Sequence, residues 1–559
     1  MKYFLIAFIP VLFIIGCKKE NAGPLEMTTD YYAFDSLDKN GNNAQLFLNN
    51  IYADMPTGFN RIGGDFLDAA TDDAIPSRDG VTIENFIDAK LNSASTNPDD
   101  AWSKSYTSIR KVNLFLSKVG VVPVPAQLPF WRAEARFLRA LFYFELLKRY
   151  GGVPLIGDTV FQATDNIQYK RNSFADCVNY IVSECDSIKG VVRKEPIGTS
   201  DWGKASRGAV LALRSRVLLY AASPLFNGGV PTSASADQQA VMGYPTYDAT
   251  RWAKAAAAAN DLISLNVYSL ETALTNPFLN RQNSEVILSY LRSTTTDLET
   301  ANGPVGYSQN AVGQGATSPT QDLVNAFPMS NGKAITDATS GYNPALPYTG
   351  RDPRLATTVL FNTAAWLSRP LQTFEGGLDK PNLHTTQTKT GYYLRKFLGN
   401  FATSTQYAVQ NHNFPIFRYA EVLLNYAEAQ NEAVGATADV YTILKNIRKR
   451  AGIAAGTDGN YGLKAAMSQT EMRAAIQNER RIEMAFEEQR YWDLRRWKLA
   501  ETVLNKNLSG VIITKDASGN FSYQTNTVFP ISFPTKMYLY PVPYSELAKD
   551  KNLIQNYGW

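Results

Sequence analysis

The chain has 559 residues, 45% hydrophobic and 19% charged, the profile of a globular body rather than a disordered or multi-span chain. Lys+Arg 55 against Asp+Glu 51 leaves a net charge of +4, too little for the dense basic surface that nucleic-acid binding requires. Two histidines and three cysteines exclude most metal chemistry and any disulfide framework. The surplus is aromatic: 30 Tyr, 28 Phe and 8 Trp, more than core packing alone accounts for.

Met1 and Lys2 precede an apolar run from Tyr3 to Ile15. It is shorter than the roughly 18–20 residues of a membrane-spanning helix and reads as an export signal, residues 1–16. Ile14-Ile15-Gly16-Cys17 has the form of a bacterial lipobox, in which Cys17 carries the lipid anchor. Cys177 and Cys185 lie eight apart on one helix, roughly 12 Å at the helical rise, too far for a disulfide, and read as core.

After a polar stretch to about Asn43, helical patterning begins. Helices are predicted from Trp102 through Asn113 and from Trp131 to Tyr150, the latter stopped by Gly151-Gly152-Val153-Pro154. A second pair spans Ser173–Ile188 and Lys204–Ala222, and Trp252–Ile263, with its five consecutive alanines, is another strong helix. Late pairs cover Arg418–Val434 with Ala438–Arg450, then Gln469 to about Val503, with Ser468 and Glu471 as a capping box. A hairpin is predicted around Lys515–Gly519. Residues 17–230 thus form an N-terminal helical region, 231–290 a connecting helix and loops, and 291–559 a C-terminal region. Its first part, 291–412, is a loop-rich insertion. Paired helices without a clean repeat length predict a mainly α, degenerate tetratricopeptide-like scaffold with long irregular insertions and a few short β-hairpins.

Catalytic patterns are scarce. There is no G-x-S-x-G elbow and no phosphate-binding loop, and Gly313-Gln-Gly315 lacks the third glycine of a dinucleotide loop. His384 and His412 fit no zinc spacing. Ser36-x-Asp38-x-Asn40-Gly41 begins like a calcium loop but has Phe47 at the twelfth position, so no metal or cofactor is assigned. Glu479, Glu483 and Glu487 share a helical face, the carboxylate set a surface glycoside hydrolase would use. Arginines three to four residues away favour ion pairs instead. The same holds for Glu134, Arg136, Arg139 and Glu145.

Several motifs resemble one family. They include Ala69-Ala-Thr-Asp-Asp-Ala74, Glu134-Ala-Arg-Phe-Leu-Arg-Ala140 and Tyr150-Gly-Gly-Val-Pro-Leu155. Arg351-Asp-Pro-Arg-Leu355, Asn478-Glu-Arg-Arg-Ile-Glu483, Tyr491-Trp-Asp-Leu-Arg-Arg-Trp497 and Gln555-Asn-Tyr-Gly-Trp559 follow in order. Together with the lipobox they are similar to the SusD/RagB lipoproteins of the Bacteroidetes outer membrane, across most of the mature chain. That resemblance implies a non-catalytic, surface-exposed nutrient binder that caps a SusC-like TonB-dependent transporter and delivers oligosaccharides or, in some members, peptides. The matched motifs are scaffold and carry no ligand assignment.

Sugar rings stack on aromatic faces with Asn, Asp or Arg nearby for the hydroxyls. Aromatics on irregular segments are therefore preferred as ligand-binding candidates: Tyr342, Tyr348, Trp366 and Phe374 in the insertion, with Asn60, Arg61 and Asp65 as polar partners. Trp102, Trp131, Trp252, Trp492 and Trp497 lie at helical spacing and read as packing.

Overall fold

The computed structural model describes residues 33–559 except 96, 163, 308–312, 383–385 and 402. The leader, Cys17 and His384 lie outside the described residues. With 40% helix and 11% strand the fold is mainly α, as the periodicity predicts.

The helices that build it are α1 (Asn42–Tyr52), α2 (Trp102–Lys118), α3 (Leu128–Tyr150), α4 (Phe174–Ile188), α5 (Arg207–Ala222) and α6 (Thr250–Ile263). They continue as α7 (Tyr419–Val434), α8 (Ala438–Arg450), α9 (Gln469–Glu483), α10 (Gln489–Arg496) and α11 (Tyr544–Lys549). From α2 onward each packs on the next as far as α8, and α7 also carries α9. The stack runs from α6 straight onto α7 although the whole insertion intervenes in sequence. Small residues make that junction close: Ala222 of α5, Ala255 and Ala256 of α6 and Ala429 of α7 share one buried cluster.

Local signals set most ends. Ser173 and Asp176 form a capping box on α4, and Ser468 with Glu471 does so on α9 as expected. α5 starts three residues later than predicted, because Ser206 caps it by accepting the Ala209 N–H. α3 stops at Gly151, which has φ +79°, and a Cβ on Gly152 would lie 2.1 Å from the Asn172 carbonyl oxygen. The helical pair expected between Gln469 and Val503 resolves into three pieces: α9, α10 and the turn Ala500–Leu504. The first break sits at Phe486 and Glu488, both left-handed. Distant partners hold it: the Phe486 N–H donates to Asp68, and Glu488 receives Arg61.

Strands are few. β1 (Ala74–Pro76) pairs with β3 (Thr317–Pro319), tying an N-terminal loop to the insertion. β2 (Val286–Tyr290) pairs with β4 (Phe414–Arg418) and closes the insertion at its base. The predicted hairpin is β5 (Lys506–Lys515) with β6 (Phe521–Ile531), bulged between Thr527 and Phe529. Trp102, Trp131, Trp252, Trp492 and Trp497 are all buried, as are Cys177 and Cys185.

Candidate functional site

The carboxylates with catalytic spacing lie inside an arginine lattice. Glu483 accepts from Arg354 and Arg418 at 3.0 and 2.9 Å and also from Arg450. Glu479 is held by Arg354 and Arg448, and Glu487 by Arg418 and Lys396. Burial alone would raise the Glu483 carboxyl, but Arg450, Arg418 and Arg354 together hold it well below the ordinary carboxylate range. Glu479 and Glu487 are lowered by the same opposition of burial and arginine. A general acid needs the reverse shift, so these three are locks between helices and strands. Arg418, 1% exposed, joins Glu285, Glu483 and Glu487 in one such lock.

The residues singled out for ligand binding do not converge. Trp366 is only 4% exposed, with Phe401, Tyr407 and the Arg395 guanidinium against its ring, so it offers no face for stacking. Tyr348 stacks on Phe361 at 4.3 Å and meets Tyr523 edge-on at 5.7 Å. Tyr342 covers Arg351, and Phe374 leans on Phe521 of β6 beneath Lys515. Arg61 is clamped between Asp99 and Glu488. Asn60 accepts from Asn302 at 3.2 Å. Asp65 is buried, accepts from Arg78 at 3.0 Å and from Thr317, and burial still raises its carboxyl to about 6.

A concave site opens elsewhere. A cleft of about 480 Å³ lies between α2, the irregular segment linking α3 to α4, and α11 with the residues after it. That volume falls in the range of natural ligand sites. Trp102, Ile109, Pro154 and Leu553 form its apolar floor. Tyr106 stands beside Trp102 with ring centroids 5.3 Å apart, its hydroxyl donating to the Pro154 carbonyl at 2.8 Å. Burial pushes that phenol well above its ordinary pKa, so it stays neutral. Phe161 and Tyr169 form the opposite wall, half-buried and edge to face at 5.6 Å. The wall is pinned from three sides. Arg110 donates to the Phe161 carbonyl, Asn113 to the Thr159 carbonyl at 2.9 Å, and the Tyr169 N–H donates to Asp550 at 2.6 Å. Exposed Ser103, Thr159, Gln162 and Lys549 supply a polar rim.

Half-buried Phe161 and Tyr169 beside a polar rim suit a ligand with flat apolar faces and hydroxyl edges. Sequence reasoning passed over this cleft. Trp102 and Tyr106 fall at helical spacing, and they do pack, yet they also line the cavity. Phe161 and Tyr169 were findable: they lie on the irregular stretch from Gly152 to Asn172, where the preference for loop aromatics already applies.

A family model described as the SusD family matches residues 284–559, and a second, described as starch-binding and associating with the outer membrane, matches 45–219. The chain belongs to the SusD family. It is 25% identical to SusD-like protein P2 of Formosa agariphila, over 100% of this chain and 99% of that one. A SusD-like protein of Bacteroides fragilis NCTC 9343 is 25% identical, with a TM-score of 0.76 over 95% of this chain and 99% of its own. A SusD-like carbohydrate-binding protein of the same strain, 22% identical, has a TM-score of 0.74 over 93% and 100%; at that identity it shows the shared SusD fold. Among the described residues no helix is long and apolar enough to cross a membrane.

Proposed function

We propose that this SusD family chain captures oligosaccharides at the outer membrane, held there by lipid on Cys17, and passes them to a SusC-like TonB-dependent transporter. The observation that carries the ligand class is the cleft, where half-buried Phe161 and Tyr169 line a volume of about 480 Å³ above a buried apolar floor. The starch-binding family matched over residues 45–219 and the carbohydrate-binding Bacteroides fragilis neighbour support it. The N-terminal location of the cleft lies within the matched region 45–219, apart from α11 and the residues after it.

The test is a glycan array probed with the mature chain and with Phe161→Ala and Tyr169→Ala. Each variant is expected to weaken oligosaccharide binding about tenfold, the loss of one stacking ring, with unchanged thermal unfolding. Unchanged affinity in both removes the cleft from the site. Displacement of the bound ligand by oligopeptides but not by oligosaccharides replaces glycan by peptide. Cys17→Ala is expected to release the chain from membranes, and co-purification with a barrel protein checks the partner.

A further inference from the structure

A second, smaller cavity of about 170 Å³ lies where the connection from α4 to α5 meets strand β2, and it shares no lining residue with the cleft. One side is apolar, made by Val267 and Ile287 together with the indole of Trp202. The other side is polar and unfinished. Ser289 of β2 lines the cavity at 1% exposure, and its hydroxyl has no hydrogen-bond partner among the described residues. The buried indole N–H of Trp202 has none either.

These orphans are costly. An unsatisfied buried hydroxyl or N–H gives up its hydration with nothing in return, and native proteins leave few of them without a reason. Around Ser289 the strand reads Val-Ile-Leu-Ser-Tyr, so alanine at this place would fill a buried apolar strand without that cost. A fixed acceptor completes the set. Oε1 of Glu195 receives the Gly208 N–H at 2.7 Å and the Tyr268 hydroxyl at 2.7 Å, which holds its carboxylate at the cavity wall. The closeness of Tyr268 depends on Gly208, where a Cβ would lie 2.1 Å from the phenol oxygen. Lys204, also on the wall, is taken by Asp201 at 2.8 Å, so its charge is already answered.

The cavity wall therefore holds one unpartnered donor, one unpartnered hydroxyl that donates or accepts, one carboxylate acceptor, and aromatic and aliphatic side chains. Water satisfies the polar atoms but leaves the indole and the aliphatic wall unmatched. A ligand with hydroxyls on its edge and an apolar face satisfies both. We propose that this cavity binds a single neutral pyranose unit, as a free monosaccharide or the end of a chain, at a site separate from the cleft. It shares a ligand class with the reading above but none of its residues.

The experiment uses the mature full chain with methyl pyranosides of glucose, galactose and mannose as probes, observed at the Trp indole N–H resonances and by calorimetry. At least one probe is expected to shift the Trp202 resonance saturably. Ser289→Ala and Trp202→Phe are each expected to weaken it about tenfold, the loss of one hydrogen bond. Tyr169→Ala is expected to leave that binding unchanged. Because the Ser289 hydroxyl has no hydrogen-bond partner among the described residues, Ser289→Ala keeps the fold, with an equal or higher Tm. The proposal is overturned if no probe moves the Trp202 resonance, which leaves ordered water as the occupant. It is also overturned if both variants bind as the parent does, or if Tyr169→Ala abolishes the signal. Failure of Phe161→Ala and Tyr169→Ala to affect oligosaccharides bears only on the cleft.

Discussion

Two irregular segments of this chain carry aromatic rings and use them in opposite ways. Between α3 and α4, Phe161 and Tyr169 touch each other edge to face and stand half-open over a cavity. In the insertion, Tyr348 is stacked on Phe361, and Trp366 is enclosed by Phe401, Tyr407 and Arg395. The first segment is short and anchored by others: Arg110, Asn113 and Asp550 hold its backbone, and Arg171 bonds the carbonyls of Tyr150, Gly152 and Ile554. Helices behind it supply the core, so its rings are free to face outward. The insertion is long and carries only short helices and strands, so its rings must become its core to offset the entropy of ordering it. Lying on a loop does not by itself leave a ring an open face; a core supplied from elsewhere does.

The scaffold sets the upper end of the scale against which both segments are measured. Glu483→Gln leaves Arg354, Arg418 and Arg450 partly unpaired in the interior, and a loss of about 3–5 kcal/mol is expected by chemical denaturation. Trp366→Ala removes a buried ring and is expected to cost about 3–5 kcal/mol of stability. If it instead spares stability and reduces glycan binding, the contrast between the two segments fails.

Asp65 tests the comparison through pH. Its folded pKa of about 6 lies above the ordinary 3.8, so the stability it contributes is full below the lower value and is lost as pH rises to the higher. Asp65→Asn is expected to gain on the parent by on the order of 3 kcal/mol between about pH 4 and about pH 7, read from denaturation midpoints. A flat difference across that window would return Asp65 to the list of solvated, ligand-ready groups. The arginine-held carboxylates act in the opposite sense, and their stability is lost as pH falls below the ordinary carboxylate range. At the small end, Ser468→Ala removes the cap of α9 and is expected to cost about 1 kcal/mol, with no change in ligand binding.

Much of the frame was legible in the residues. The capping pair Ser468–Glu471, the stop at Gly151-Gly152, the alanine-rich α6 and the hairpin turn at Lys515–Gly519 all act within a few residues, and each appears where the pattern puts it. The ion-pair reading of Glu479, Glu483 and Glu487 holds, but its local reason does not: their arginines, Arg354, Arg418, Arg448 and Arg450, all come from other elements, while the neighbouring Arg480, Arg481 and Arg490 pair with aspartates. The site was less legible. Tyr342, Tyr348, Trp366 and Phe374 satisfied the same rule as Phe161 and Tyr169, and nothing in the local text separates the two groups.

The aromatic surplus and the scarcity of histidine and cysteine were properties of the sequence alone, and so were helix limits and turns, because hydrogen bonds and caps there close between near neighbours. Tertiary structure alone decided which rings kept an open face, that Arg61 would be taken by Glu488 from the far end of the chain, and that Phe486 and Glu488 would break a helix. Those outcomes depend on contacts between segments hundreds of residues apart, where burial is set by what arrives on the other side and not by the residue itself.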